Sequence, residues 1–147
     1  MQEELITFET AKLAKEKGFN ILTISYYTPE GYCTESAGYQ TERLEESNWN
    51  DGQGSYPTSP EEVDCSAPTQ ALLQKWLREV HNIDVFINRD GMFRKESYCI
   101  FIHDNIKNIS RLRPLDNDMF SGYSTYEEAL EVGLQEALKL IEIIKNS

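Results

Sequence analysis

The sequence predicts an α+β domain in which about three helices pack on a small, mainly antiparallel sheet, with a long acidic loop. One observation behind this prediction is a change of period. Residues 71–80 repeat apolar side chains at helical spacing, whereas residues 83–88 alternate them as a strand does. A second is the capped apolar stripe of residues 125–144. A third is an Asp90-Gly91 turn between two strand-like segments, which favours antiparallel pairing.

The N-terminal segment is expected to contain one helix and one strand. The helix covers residues 8–17, begins after Thr7, whose hydroxyl can cap the free amides, and ends at Gly18. Residues 20–27 then have the β-branched and aromatic content of a strand. We expect this strand to pair with the later hairpin.

The middle of the chain is expected to form a helix followed by a hairpin. Pro68 suits the first turn of a helix that ends near Val80, because no N–H is needed at that position. Strands over residues 83–88 and 98–103 follow. Three apolar residues beyond them fit either a third strand or a short helical turn, and their spacing leaves both open: Ile106, Ile109 and Leu112.

The last helix has the strongest pattern. Thr125 and Glu128 have the spacing of a capping box, and the apolar stripe behind them runs nearly to the C-terminus. Gly133 inside this helix costs about 1 kcal/mol relative to alanine. We therefore expect a neighbouring backbone to pack close to Gly133.

Length and composition favour a single domain over residues 1–147. No apolar run approaches the roughly 20 residues that span a bilayer, and the first residues lack the pattern of an export signal. A cytoplasmic location without membrane contact is therefore expected. Cys33, Cys65 and Cys99 have neither disulfide nor metal-ligand spacing, so we expect free thiols.

The formal net charge of −11 makes nucleic acid an unfavourable partner, because affinity for it comes mainly from lysine and arginine contacts to phosphates. Negative charge is concentrated in residues 29–64, where Arg43 is the only base. Such a segment keeps a protein soluble and attracts basic partners. We therefore expect a host or phage protein, and no nucleic acid, as the partner.

Two large aromatic residues, Trp49 and Tyr56, interrupt the polar, non-periodic stretch of residues 28–67. Loops of this length are often functional. Aromatic residues in them either fasten the loop to the core or present a binding surface. Trp49 and Tyr56 are therefore the candidate binding residues, with fastening as the commoner role of such rings.

Few residues could carry catalysis or hold a metal. His81 and His103 are the only histidines, and with Cys99 or Asp104 they could converge on an ion, although the tight local ligand pairs of metal sites are missing. His81 follows a helix C-terminus, where the helix dipole stabilises an imidazolium. Because no nucleophile, phosphate-binding or metalloprotease motif occurs, no catalytic residue, metal site or cofactor is predicted.

Three segments together resemble a family of small phage and prophage proteins of gut anaerobes whose function is unknown. They are TFETAKLAKEKGF at 7–19, SAPTQALLQKWLREVHNIDVFI at 66–87 and YEEALEVGLQEALKLI at 126–141, about a third of the chain. Within the acidic stretch, NWN at 48–50 also matches. The resemblance implies a phage-associated protein inside a bacterial cell, and it carries no catalytic or binding residue.

The C-terminal half is similar to HicB-type antitoxins in its order of strand, Asp90-Gly91 turn, strand and Thr-x-Glu-Glu-Ala helix. It lacks their proline- and glycine-marked loop after the second strand.

The leading functional hypothesis is a phage or prophage accessory protein that acts by protein binding rather than catalysis. The alternatives are a small metal-dependent or thiol enzyme or regulator, and a HicB-like antitoxin or acidic nucleic-acid mimic.

Overall fold

The computed structural model describes residues 3–35, 46–51, 63–89, 97–112 and 122–141. These residues form three α-helices, one 3₁₀ turn and two three-stranded antiparallel sheets, which confirms the predicted α+β class. None of these helices is long and apolar enough to cross a membrane. The chain divides into two compact units, the N-terminal unit (Leu5–Thr69) and the C-terminal unit (Gln70–Ser147 together with Met1–Glu4). The single domain expected over residues 1–147 stays a prediction.

The N-terminal unit contains helix α1 (Phe8–Glu16) and strands β1 (Ser25–Tyr27), β2 (Cys33–Glu35) and β3 (Cys65–Ser66), in the sheet order β2-β1-β3. As predicted, Thr7 caps α1: its Oγ1 accepts from the backbone N–H of Thr10 at 3.4 Å. Gly18 follows the helix with a φ of 93°. The strand expected over residues 20–27 is shorter, and β1 pairs with β2 and β3 rather than with the later hairpin.

Parts of the stretch expected to be a non-periodic loop have regular structure. Strands β2 and β3 lie within residues 28–67, and so does a 3₁₀ turn (Trp49–Asp51). Thr23 and Ser47 form an isolated antiparallel bridge beside them. Elements of two or three residues are too short to show a period, which is why the sequence pattern missed them.

The C-terminal unit contains helix α2 (Gln70–His81), strands β4 (Ile83–Arg89), β5 (Tyr98–Asp104) and β6 (Ile109–Leu112), and helix α3 (Tyr126–Lys139). The strands form an antiparallel sheet in the order β4-β5-β6, so the hairpin prediction is confirmed and the strand alternative holds for residues 109–112. Helix α2 begins at Gln70, which leaves Pro68 ahead of the helix instead of in its first turn.

Helices α2 and α3 pack against β4, and α3 also packs against β5. The register places Val85 opposite Ile102 and Ile87 opposite Ile100, so these apolar side chains share one face of the sheet. The buried apolar residues of this unit include residues of both helices and of strands β4 and β5: Leu73, Trp76, Leu77, Ile83, Val85, Ile100, Ile102, Ala129, Leu130, Leu134, Ala137 and Leu138.

Gly133 of α3 lies directly on this apolar face. A Cβ added there would come within 2.9 Å of Cγ1 of Val85 and 3.0 Å of Cγ2 of Ile100. The close neighbours are therefore side chains, so the predicted close approach of a neighbouring backbone is wrong.

The N-terminal end of α3 is capped as predicted. Oγ1 of Thr125 accepts from the backbone N–H of Glu128 at 3.1 Å. The carboxylate of Glu128 accepts from the Ser124 hydroxyl at 3.0 Å. The helix ends at Lys139, with Leu140 as its C-cap, so it is shorter than the stripe running nearly to the C-terminus predicted.

Replacing Gly133 with alanine is expected to destabilise the protein by about 1 kcal/mol. Overpacking a core typically costs about 1–3 kcal/mol, which exceeds the gain of about 1 kcal/mol in helix propensity. The free energy of unfolding in urea measures the change. In a Val85→Ala background, which removes the nearest methyl group and leaves Ile100 in place, part of the cost should disappear, and an equal cost in both backgrounds would contradict the close contact.

Candidate functional site

Trp49 lies in the core of the N-terminal unit. Its side chain is 1% exposed, its Nε1 donates to the carbonyl of Thr23 at 2.7 Å, and its ring packs on Tyr26 with centroids 4.6 Å apart. This geometry corresponds to a residue that attaches its loop to the core, because a side chain with so little exposed surface has almost none to offer a partner. Tyr56, the other candidate binding residue, lies outside the described residues.

The two asparagines beside Trp49 complete this attachment. Nδ2 of Asn50 donates to the carbonyl of Phe19 at 2.8 Å, and Oδ1 of Asn50 accepts from the backbone N–H of Ser66 at 2.9 Å. Oδ1 of Asn48 accepts from the N–H of Asn50 at 3.1 Å. All three residues of the NWN segment therefore have structural roles in this chain.

Cys99 and His103 lie on one face of β5 but four residues apart. At roughly 3.3 Å per residue, about 13 Å separates their Cα atoms, too far for the imidazole to activate the thiol. The thiol of Cys99 is buried and donates to the carbonyl of Asn88 at 3.4 Å. Across the described ranges, no group of three histidine, cysteine, aspartate or glutamate residues could hold a metal ion.

The other two cysteines differ in exposure. Cys33 is exposed, whereas Cys65 is buried. Burial, with a smaller contribution from the neighbouring charge of Asp64, raises the pKa of Cys65 to about 12. Cys65 is therefore a neutral and unreactive thiol near neutral pH.

His81 is the last residue of α2, and its ring packs edge-on against Trp76 with centroids 4.6 Å apart. Its Nε2 is buried and has no hydrogen-bond partner among the described residues. Burial lowers the pKa of His81 below its ordinary value of 6.5. The structure thus favours a neutral imidazole over the imidazolium that the position at a helix C-terminus suggested.

A different set of residues forms a cavity, here named the acidic groove. It lies in the C-terminal unit beside the first turns of α2 and α3, with a volume of about 420 Å³. Its walls contain acidic, amide, aromatic and aliphatic side chains: Glu3, Glu4, Gln70, Ala71, Gln74, Tyr126, Glu127 and Leu130.

Gln70 fixes the inner wall of the acidic groove. Its side chain is buried, and its Nε2 donates to the carbonyl of Glu127 at 2.9 Å and to Oε1 of Glu131 at 3.0 Å. Both partners are acceptors, so the amide orientation is determined and Oε1 of Gln70 remains the acceptor end. The backbone N–H of Gln70 donates to the carbonyl of Glu4 at 2.8 Å, which places Glu4 beside the start of α2.

The electrostatics of the acidic groove favour a cation. The carboxylates of Glu3, Glu4 and Glu127 are exposed. Two helix N-termini oppose them with roughly +0.5 charge each, which is less than the charge of the carboxylates, so the groove stays negative. Ala71 and the ring of Tyr126 add exposed apolar surface beside these charges. A side chain with an apolar stem and a cationic head fits this combination.

The acidic groove could not be predicted from the sequence, in which the negative charge is concentrated in residues 29–64. Its lining residues come from three separated segments, and each is ordinary in its own context. The one local signal was the Glu127-Glu128 pair, but acids in the first turn of a helix are also explained by the helix dipole. Only the fold brings Glu4, Gln70 and Glu127 together.

In comparisons with protein-family models, curated proteins and solved structures, nothing matches the chain. The resemblances to phage and prophage proteins and to HicB-type antitoxins stay predictions.

Replacing Asn50 with alanine is expected to destabilise the protein by about 2 kcal/mol, because the buried carbonyl of Phe19 and the N–H of Ser66 each lose a hydrogen bond. Urea denaturation measures the loss. Asn20→Ala, at an exposed position in the same unit, serves as the control and should stay within about 0.5 kcal/mol of the parent. Equal losses for the two variants would contradict the role of Asn50.

Replacing His81 with phenylalanine is expected to weaken the loss of stability in acid. Because the pKa of His81 is lower in the folded state, the unfolded state binds the proton first and stability falls as the pH drops through about 6.5. Phenylalanine keeps a ring against Trp76 and has no nitrogen to protonate. The unfolding free energy is measured for the variant and the parent at about pH 7 and pH 5. The variant should lose less stability than the parent between the two pH values. An equal loss in both proteins would contradict the prediction.

Proposed function

We propose that the protein is a non-enzymatic phage or prophage accessory protein that acts in the bacterial cytoplasm by binding another protein. The observation that carries the proposal is the acidic groove, which combines three exposed carboxylates with an apolar surface and a fixed amide wall. The partner is a protein that inserts an arginine or lysine side chain into this groove.

The chemistry of the lining residues suits the binding of a cationic side chain. Carboxylates and an amide carbonyl are acceptors for the five N–H donors of a guanidinium. The stem of the same side chain would cover the exposed Ala71 and the ring of Tyr126, so one inserted residue satisfies both the polar and the apolar parts of the groove.

The binding free energy that the groove carboxylates can supply defines the role of the groove within a larger interface. Exposed ion pairs contribute about 0.2–1 kcal/mol each, so three carboxylates supply about 0.6–3 kcal/mol. A stable complex needs more than this, and the remainder comes from surface around the groove. Charge complementarity of this kind mainly sets partner choice and speeds association, and it weakens as salt is added.

The first experiment uses a short arginine-containing peptide as the probe for the acidic groove. Amide NMR spectra of the protein should show shifts of the side-chain amides of Gln70 and Gln74 during titration. A Glu4→Gln, Glu127→Gln variant should bind the peptide about fivefold more weakly, because two favourable charge contacts are lost. Added salt should weaken binding to the parent protein.

The matched control is a Glu16→Gln, Glu79→Gln variant. It removes the same net charge at two exposed helical positions outside the groove lining. This control should bind the peptide as the parent does. Equal weakening in both variants would show a response to overall charge, and shifts that leave Gln70 and Gln74 unchanged would place the peptide elsewhere. Either result overturns the proposal for the groove.

The second experiment tests the proposal that the partner is a protein. The parent chain and both double variants are used to capture partners from a host lysate, and each captured protein is purified and its affinity measured. The proposal requires a partner in which replacing one arginine or lysine weakens binding to the parent chain. The same replacement should not weaken binding to the Glu4→Gln, Glu127→Gln variant, which has already lost the contact. A partner whose affinity changes neither with its own replacement nor with the Glu4→Gln, Glu127→Gln changes contradicts the proposal.

A further inference from the structure

We draw no further inference here: the strongest candidate, the outward face of the β4-β5-β6 sheet around the exposed Phe86 and its cross-strand neighbour Phe101, carries nothing because nothing in the structure shows what covers it.

Discussion

The close approach of α3 to its sheet at Gly133 is the contact on which the C-terminal unit depends. Without a Cβ at this position, the helix reaches van der Waals contact with Val85 and Ile100. The same helix carries Glu127 in its first turn, where the carbonyl is bonded by Gln70 of α2. The acidic groove is therefore a consequence of how the two helices share one sheet face, and its geometry is supported by the core beneath it.

The N-terminal unit is held together differently. Its strands contain only two or three residues each, and so short a sheet supplies few ladder hydrogen bonds. Side chains of Trp49 and Asn50 bond to backbone groups of Thr23, Phe19 and Ser66 instead. Buried polar groups need hydrogen-bond partners. Here side chains supply several of the hydrogen bonds that longer strands would have provided.

Elements with a sustained period could be predicted from the sequence, and the others could not. Helices α2 and α3 and the hairpin of β4 and β5 carry many residues on one face, so their pattern exceeds chance. Strand β3 has two residues and no period at all. The close neighbours of Gly133 were misassigned to backbone, because a glycine in a helix indicates proximity without indicating which atoms approach.

The candidate site was less accessible to sequence reasoning than the fold. Trp49 stands out by composition, yet its burial depends on contacts with residues more than twenty positions away. The acidic groove unites residues from the start of the chain and from two helices, and no single segment contains enough of it to be recognised.

The hydrogen bond from Nε2 of Gln74 to the carbonyl of Val85, at 2.7 Å, has a consequence for self-association. Among the described strands, β4 forms one edge of its sheet. Exposed edges recruit strands from other molecules and so lead to aggregation. A side chain from α2 already bonds to one acceptor of this edge, so an incoming strand would compete with Gln74 for the carbonyl of Val85. Gln74 thus belongs both to the lining of the acidic groove and to the edge of the sheet.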